Sequence, residues 1–288
     1  MRSIHALAFL WFLAGAPSGA GPASLLVVTS SAAEPYVQAL DGVRQGMAGQ
    51  AIAWNEVDLS QRRETVPQAV ARVRPSVVIA IGTEAAAAVA AQPPAAPVVS
   101  SMILRADAAP GRALSTVSLD VPPGQLVGAM QRAFPGASRL GIIRGPSSAH
   151  VKSESGRLQL ADCPRAEDLL KTFLGFKGKV EFVACMPDGA LYNSSTVKPL
   201  VLASLQNRLP LIGYSEGFAR AGAVLAVYPD YRDVGALAAE TARKLLAGQD
   251  VPSLIAPRRF RSAVNQRVVR LLGLSYQADR EEAEVVIH

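Results

Sequence analysis

The sequence predicts an α/β fold: two doubly wound parallel-sheet lobes joined by a hinge. Three observations predict it. Short apolar runs of buried-strand type alternate with amphipathic helical stretches along nearly the whole chain. Half of the 288 residues are apolar and only 6% aromatic, with abundant Ala and Val, which suits helices packed on parallel strands. The length exceeds what one modest core needs and fits two lobes.

The chain opens with Arg2, an apolar run from Ala6 to Ala14 and the small residues Ser18-Gly19-Ala20. This pattern predicts a secretory signal peptide over 1–20, cleaved after Ala20, and a periplasmic product. The apolar run is well short of the roughly 20 residues that span a bilayer.

In the first lobe, 21–118, Ser24 to Thr29 reads as a buried strand released into Ser30-Ser31, and a helix starts at Pro35 with Val37, Leu40, Val43 and Met47 on one face. Ala51 to Val57 is the second strand, Arg63 to Val73 a helix, and Ser76 to Ile81 a third strand ending in Gly82-Thr83. A nearly all-Ala helix follows. Pro97 to Val99 then opens into Ser100-Ser101-Met102, and Ser115 to Leu119 reads as a strand leading out of the lobe. Three strands thus release Thr29-Ser30-Ser31, Gly82-Thr83 and Ser100-Ser101 at one edge, where hydroxyls and free N–H groups can hold an anionic or polar head group. The plain alternative is that each Ser or Thr caps a helix.

The second lobe, 119–230, begins with a helix near Pro123 carrying Leu126, Met130 and Phe134, followed by a strand from Arg139 to Ile143. Only about a dozen residues separate it from the strand Leu158 to Ala161, and they carry no apolar stripe. A truncated or irregular crossover and a weakly covered sheet face are expected there. Arg165 to Phe176 is a helix, and three further apolar runs, Val180 to Met186, Leu209 to Gly213 and Ala223 to Val227, lead into PDGALYNSS, YSEGF and YPDY. In an open parallel sheet such loops converge on one crevice. A long helix over Asp233 to Ala247, inside a return segment 231–252, packs back on the first lobe. Pro252 to Pro257 is extended, and 253–288 forms a C-terminal strand and helix, with Val264 to Leu272 helical. The hinge candidates are Val117 to Asp120, Tyr228 to Tyr231 and Leu254 to Pro257.

Cys163 and Cys185 each end a strand. In the common order 2-1-3-4-5 these strands flank a third, placing them roughly 9.6 Å apart. A disulfide needs alpha carbons within about 7 Å, so free thiols are expected. The net charge of +6 comes from dispersed Arg without interleaved aromatics, which argues against a nucleic-acid partner. Past residue 20 only His150 and His288 remain, and no Gly-rich phosphate cradle is present, so no metal or cofactor is expected.

The succession VVIAIGTEAA, PVVSSM, STVSLDVPPGQ, LGIIR, PDGALYNSSTVK, RLPLIGYSEGFARAGA, YPDYRDVGALAAETARKLLAGQ and VNQRVVRLLGL resembles the solute-binding proteins of ABC transporters, in the branch that includes tryptophan-binding lipoproteins. The resemblance implies a type I periplasmic-binding-protein fold with three crossings and a ligand between the lobes. It also implies a monomer that delivers a small molecule to a membrane permease. Carried over by position, the ligand-facing loops fall on Thr29, Ser30, Ser31, Gly82, Thr83, Ser100, Ser101, Met102, Gly145, Ser147, Asp188, Asn193, Ser215, Glu216, Tyr228 and Asp230. Gly189 stands where tryptophan-binding relatives have Asn, and Tyr214-Ser215-Glu216 where they have Asp-Thr-Gly, so the tryptophan ligand is not carried over.

Asp188 and Glu216 then pair with a ligand cation such as an ammonium, Tyr192 and Tyr228 stack on the ligand's ring or apolar chain, and the serines opposite take its anionic end. Asp188 as a turn former and Tyr192 as core packing are the plain alternatives. The expected solute is small and polar or amino-acid-like. The rivals from other classes are a ligand-sensing domain for a signalling partner and a two-lobe enzyme such as a racemase, although a racemase wants one Cys from each lobe.

Overall fold

Leu25, Leu26, Val27 and Val28 have no exposed surface, the mark of a strand covered on both faces. They form β1 (Ala23–Thr29), the centre of the first sheet. The computed structural model describes residues 23–61, 63–91, 94–105, 113–153, 156–278 and 284–288. The predicted signal peptide lies outside the described residues.

The first sheet adds β2 (Ile52–Asp58), β3 (Val77–Ile81), β4 (Val98–Ile103), β5 (Ala113–Ser118) and β11 (Leu254–Ile255), in the order β2-β1-β3-β4-β5-β11 and all parallel. Its apolar strands are sealed on one face by α2 (Val66–Val73) and α3 (Thr83–Ala91). On the other face lie α1 (Glu34–Met47) and α8 (Tyr231–Leu246). Burying each Leu or Val here contributes roughly 1.5–3 kcal/mol. The two helices touch backbone to backbone. A Cβ at Gly235 would lie 1.8 Å from the Ala39 carbonyl oxygen, and one at Gly42 2.0 Å from that of Arg232.

The second sheet runs β7 (Leu158–Asp162), β6 (Leu140–Arg144), β8 (Phe182–Cys185), β9 (Leu211–Gly213), β10 (Leu225–Pro229), β12 (Phe260–Asn265) and β13 (Glu284–Ile287). The first five are parallel, β12 is antiparallel to β10, and β13 is parallel to β12. α4 (Pro123–Ala133) and α9 (Gln266–Leu272) cover one face. α5 (Leu169–Leu174), α6 (Ser194–Gln206) and α7 (Glu216–Ala221) cover the other. The expected helix over Val264 to Leu272 therefore starts late. Val264 and Asn265 finish β12, and Asn265 caps α9 by accepting the Val268 N–H at 3.1 Å. The helix expected from Arg165 likewise opens as a 3-10 turn over Ala166–Asp168 before α5.

Among the described residues no α-helix joins β6 to β7; a 3-10 turn over Pro146–Ser148 stands in its place. Leu160 and Ala161 of β7 stay half-buried, beside an open groove that Phe176 also lines. Cys163 and Cys185 are free and buried, with β6 between their strands.

Three connections pass between the sheets. One runs from β5 to α4 through Leu119 to Pro122, one from β10 to α8 through Asp230, and one from β11 to β12 through Ala256 to Arg259. The third is tied to α8, because Arg258 donates to both carboxylate oxygens of Glu240, at 2.9 and 3.2 Å.

Candidate functional site

Strand register sets where the loops emerge. Thr29 pairs with Ile81 and Ile81 with Ser101, so β1, β3 and β4 end level; Ile143 pairs with Cys185, which aligns β6 with β8. Facing these carboxyl ends is a cleft of about 340 Å³. Its lining includes Tyr36 and Thr83 from the first turns of α1 and α3 and Met102 near the end of β4, with Asp188, Tyr214 and Ser215 from the loops of the second sheet. Leu119 and Tyr231 contribute from two of the crossings. Met102 holds φ at 58°, an uncommon conformation for a side chain of its size.

Two of the expected hydroxyls in the first lobe work locally. Ser30 Oγ is buried and accepts the Ala85 N–H at 2.9 Å, which caps α3, and Ser31 Oγ accepts the Ala33 N–H at 3.1 Å. Thr29, Ser100 and Ser101 are buried, and Ser101 Oγ has no hydrogen-bond partner among the described residues. Gly82 packs behind Ser30 and Tyr36. Of this group Thr83 and Met102 reach the cleft.

In the second lobe Asp188 lines the cleft while only 3% exposed. One carboxylate oxygen accepts the Ser147 N–H at 2.9 Å and the other the Ala190 N–H at 2.9 Å. It thereby ties the turn after β6 to the turn after β8. Gly145 makes room for it, since a Cβ there would lie 2.2 Å from Asp188 Oδ2. Ser215 lines the cleft and also caps α7, its Oγ accepting the Phe218 N–H at 3.2 Å.

The remaining expected residues stand back from the cleft wall. Glu216 pairs with Arg220 one turn along α7, with Arg220 Nε donating at 2.9 Å. Asn193 caps α6 by accepting the Ser195 N–H at 2.9 Å, and Asp230 caps α8 by accepting those of Arg232 and Asp233. Tyr228 is buried and stacks on Tyr231, with centroids 5.7 Å apart.

Tyr192 is buried among the core residues, its ring 5.6 Å from Tyr214 and 5.8 Å from Phe218, and does not line the cleft. The Cys185 thiol is its polar neighbour, and its hydroxyl makes no hydrogen bond of good geometry.

Tyr36, Tyr214 and Tyr231 are cleft residues that the sequence does not single out, although the loops YSEGF and YPDY contain the last two. Each adjoins a segment that the sequence does single out: Tyr214 precedes Ser215, Tyr231 follows Asp230, and Tyr36 follows the Ser30-Ser31 turn. Burial pushes the Tyr214 phenol up to about 12, helped by nearby Cys185 and Asp188, and raises Tyr231 further through burial and then Tyr228. Both phenols are neutral at physiological pH.

Compared with known families, residues 41–280 match the profile of ABC transporter substrate binding proteins. The chain belongs to that family. Its fold is shared with a substrate binding protein with adhesive properties from Clostridium difficile, in its ligand-free, open form. That likeness has 15% identity and a TM-score of 0.68, covering 92% of this chain and 100% of that one. An ABC domain from Streptococcus pneumoniae in complex with L-Trp matches at 17% identity and a TM-score of 0.58, covering 93% and 100%. A periplasmic ribose ABC transporter structure from Conexibacter woesei follows at 14% and 0.51, covering 91% and 98%. No curated protein matches the sequence. For this substrate-binding chain the likenesses establish the type I periplasmic-binding-protein-like fold. What the cleft can do chemically is enclose a small molecule between tyrosine rings beside one carboxylate.

Proposed function

We propose that this substrate-binding protein is exported, closes its two lobes on a small polar or amino-acid-like solute and delivers it to a membrane permease. The observation that carries the reading is the division of one cleft between two sheets: Thr83 and Tyr36 on one wall, Asp188 and Tyr214 on the other, Tyr231 at a crossing. A solute touching both walls favours the closed arrangement by the contacts it gains there, so binding shifts a hinge equilibrium. The lobes are 21–118 and 119–230, with 231–252 returning to the first, and the three crossings form the hinge. Export is supported by the N-terminal charge and apolar pattern, and no described helix is long and apolar enough to cross a membrane. Binding and release need no reacting group.

A thermal-shift screen of the chain from Gly21 onward against amino acids, amines, polyols and sugars tests the proposal. A solute bound by the folded state at a hundred times its Kd adds about 2.7 kcal/mol of stability. Saturable stabilisation by one class is expected. A flat response to every class, or turnover of the solute, would contradict it.

A further inference from the structure

Among the described residues the lining of the cleft holds a single charged side chain, Asp188, although the chain as a whole is basic. No described Lys, Arg or His joins it there. Asp188 is almost wholly buried and makes no ion pair among the described residues; it accepts hydrogen bonds from the N–H groups of Ser147 and Ala190. Buried charges are ordinarily paired, so this one lacks the partner that burial calls for. Each carboxylate oxygen has two acceptor positions, which leaves capacity beyond the two backbone bonds.

The rest of the wall is suited to a cation and poorly suited to an anion. Tyr36, Tyr214 and Tyr231 line it, and the face of an aromatic ring attracts an ammonium group. The neutral state of the Tyr214 and Tyr231 phenols adds no second charge. The serines expected to receive an anionic end are used or withdrawn: Ser30 and Ser31 accept from backbone N–H groups, and Ser100 and Ser101 are buried away from the lining. A ligand carboxylate would enter beside Asp188 with no cation among the described lining residues to meet it.

We infer that the cleft selects an organic cation, a protonated amine on an apolar or aromatic body without a carboxylate. The inference rests on the clamp reading and narrows its solute class.

Two matched series separate the charge classes by isothermal titration calorimetry on the chain from Gly21 onward. One is phenethylamine, phenylalanine and 3-phenylpropionate; the other is isoamylamine, leucine and 4-methylpentanoate. In at least one series the amine is expected to bind at least tenfold more tightly than the amino acid, with no binding of the acid. Asp188→Asn, similar in shape, is expected to weaken the amine at least tenfold. The ranking in the unsubstituted chain needs no variant, so a misfolded Asp188→Asn would leave the test intact. Equal or tighter binding of an amino acid or acid overturns the inference, as does absence of amine binding in both series. The clamp reading survives either result if another solute in the thermal-shift screen gives saturable stabilisation, and fails with it if none does.

Discussion

Asp188 accepts the backbone N–H of Ser147 at 2.9 Å, so the turn that replaces the β6–β7 helix is anchored to the turn leaving β8. The same carboxylate lines the cleft. Removing it leaves the Ser147 and Ala190 N–H groups without their acceptor. Each such loss costs about 1–3 kcal/mol when the donor stays shielded. Asp188→Ala is expected to lower stability by about 2 kcal/mol in urea denaturation, and an unchanged midpoint would show that the two turns hold without it.

Gly145 is the second support of that junction. An added methyl meets Asp188 Oδ2 at 2.2 Å and Leu191 Cδ1 at 2.7 Å, contacts that cannot persist. Gly145→Ala is expected to cost about 1–3 kcal/mol and to weaken solute binding by moving the carboxylate. Calorimetry and denaturation on one sample report both effects.

The approach of α1 to α8 allows no side chain at its two closest points. Gly235→Ala drives a Cβ into the Ala39 carbonyl and Gly42→Ala into that of Arg232. Overpacking of this kind costs about 1–3 kcal/mol, and more where backbone must move. Gly248→Ala, beyond the end of α8 with open space around its Cβ position but φ at 69°, is the comparison; it is strained locally without touching the helix pair. A loss for Gly235→Ala no greater than for Gly248→Ala would contradict the packing described.

Glu240 gives a pH dependence with a definite sign. Hydrogen bonds from Arg258 and then Lys244 lower its carboxyl from 4.5 to about 2. A depressed acid stabilises the fold above its unfolded pKa and loses that contribution as pH falls through the folded value. The contribution is thus complete above about pH 4.5 and gone near pH 2. Solvent screening of the exposed Arg258 and Lys244 limits it to about 1 kcal/mol. Urea midpoints of the native chain and Glu240→Gln should converge as pH falls from 5 to 2; parallel curves would contradict the pairing.

The thiols give a simpler check. Burial pushes Cys185 up to about 12 and raises Cys163 as well, so neither forms much thiolate at neutral pH. Both should resist a thiol reagent in the folded chain and react once urea unfolds it. Rapid labelling of the native protein would contradict their burial.

The alternation of apolar runs was enough to read the ten parallel strands that lead from β1 to β10, because parallel strands buried on both faces are near-continuous apolar segments. β12 escaped that reading. Its Arg261, Ser262 and Asn265 interrupt the apolar pattern, and its pairing with β10 depends on residues more than thirty positions away. At the site, the loops were legible and the side chains facing the cleft were not. Ser30 and Thr83 are the same kind of residue at the same edge, yet only tertiary packing sends one to a helix cap and the other to the wall. Tyr192 and Tyr214 both follow strand ends in this lobe, and their contact places one in the core and the other at the surface of the cleft.

Lobe closure on a solute is measured most directly by small-angle X-ray scattering of the chain from Gly21 onward, with and without a saturating solute found by the thermal-shift screen. A clamp predicts a smaller radius of gyration with the solute and a reversal when it is dialysed away. Saturable binding with an unchanged scattering curve would contradict it.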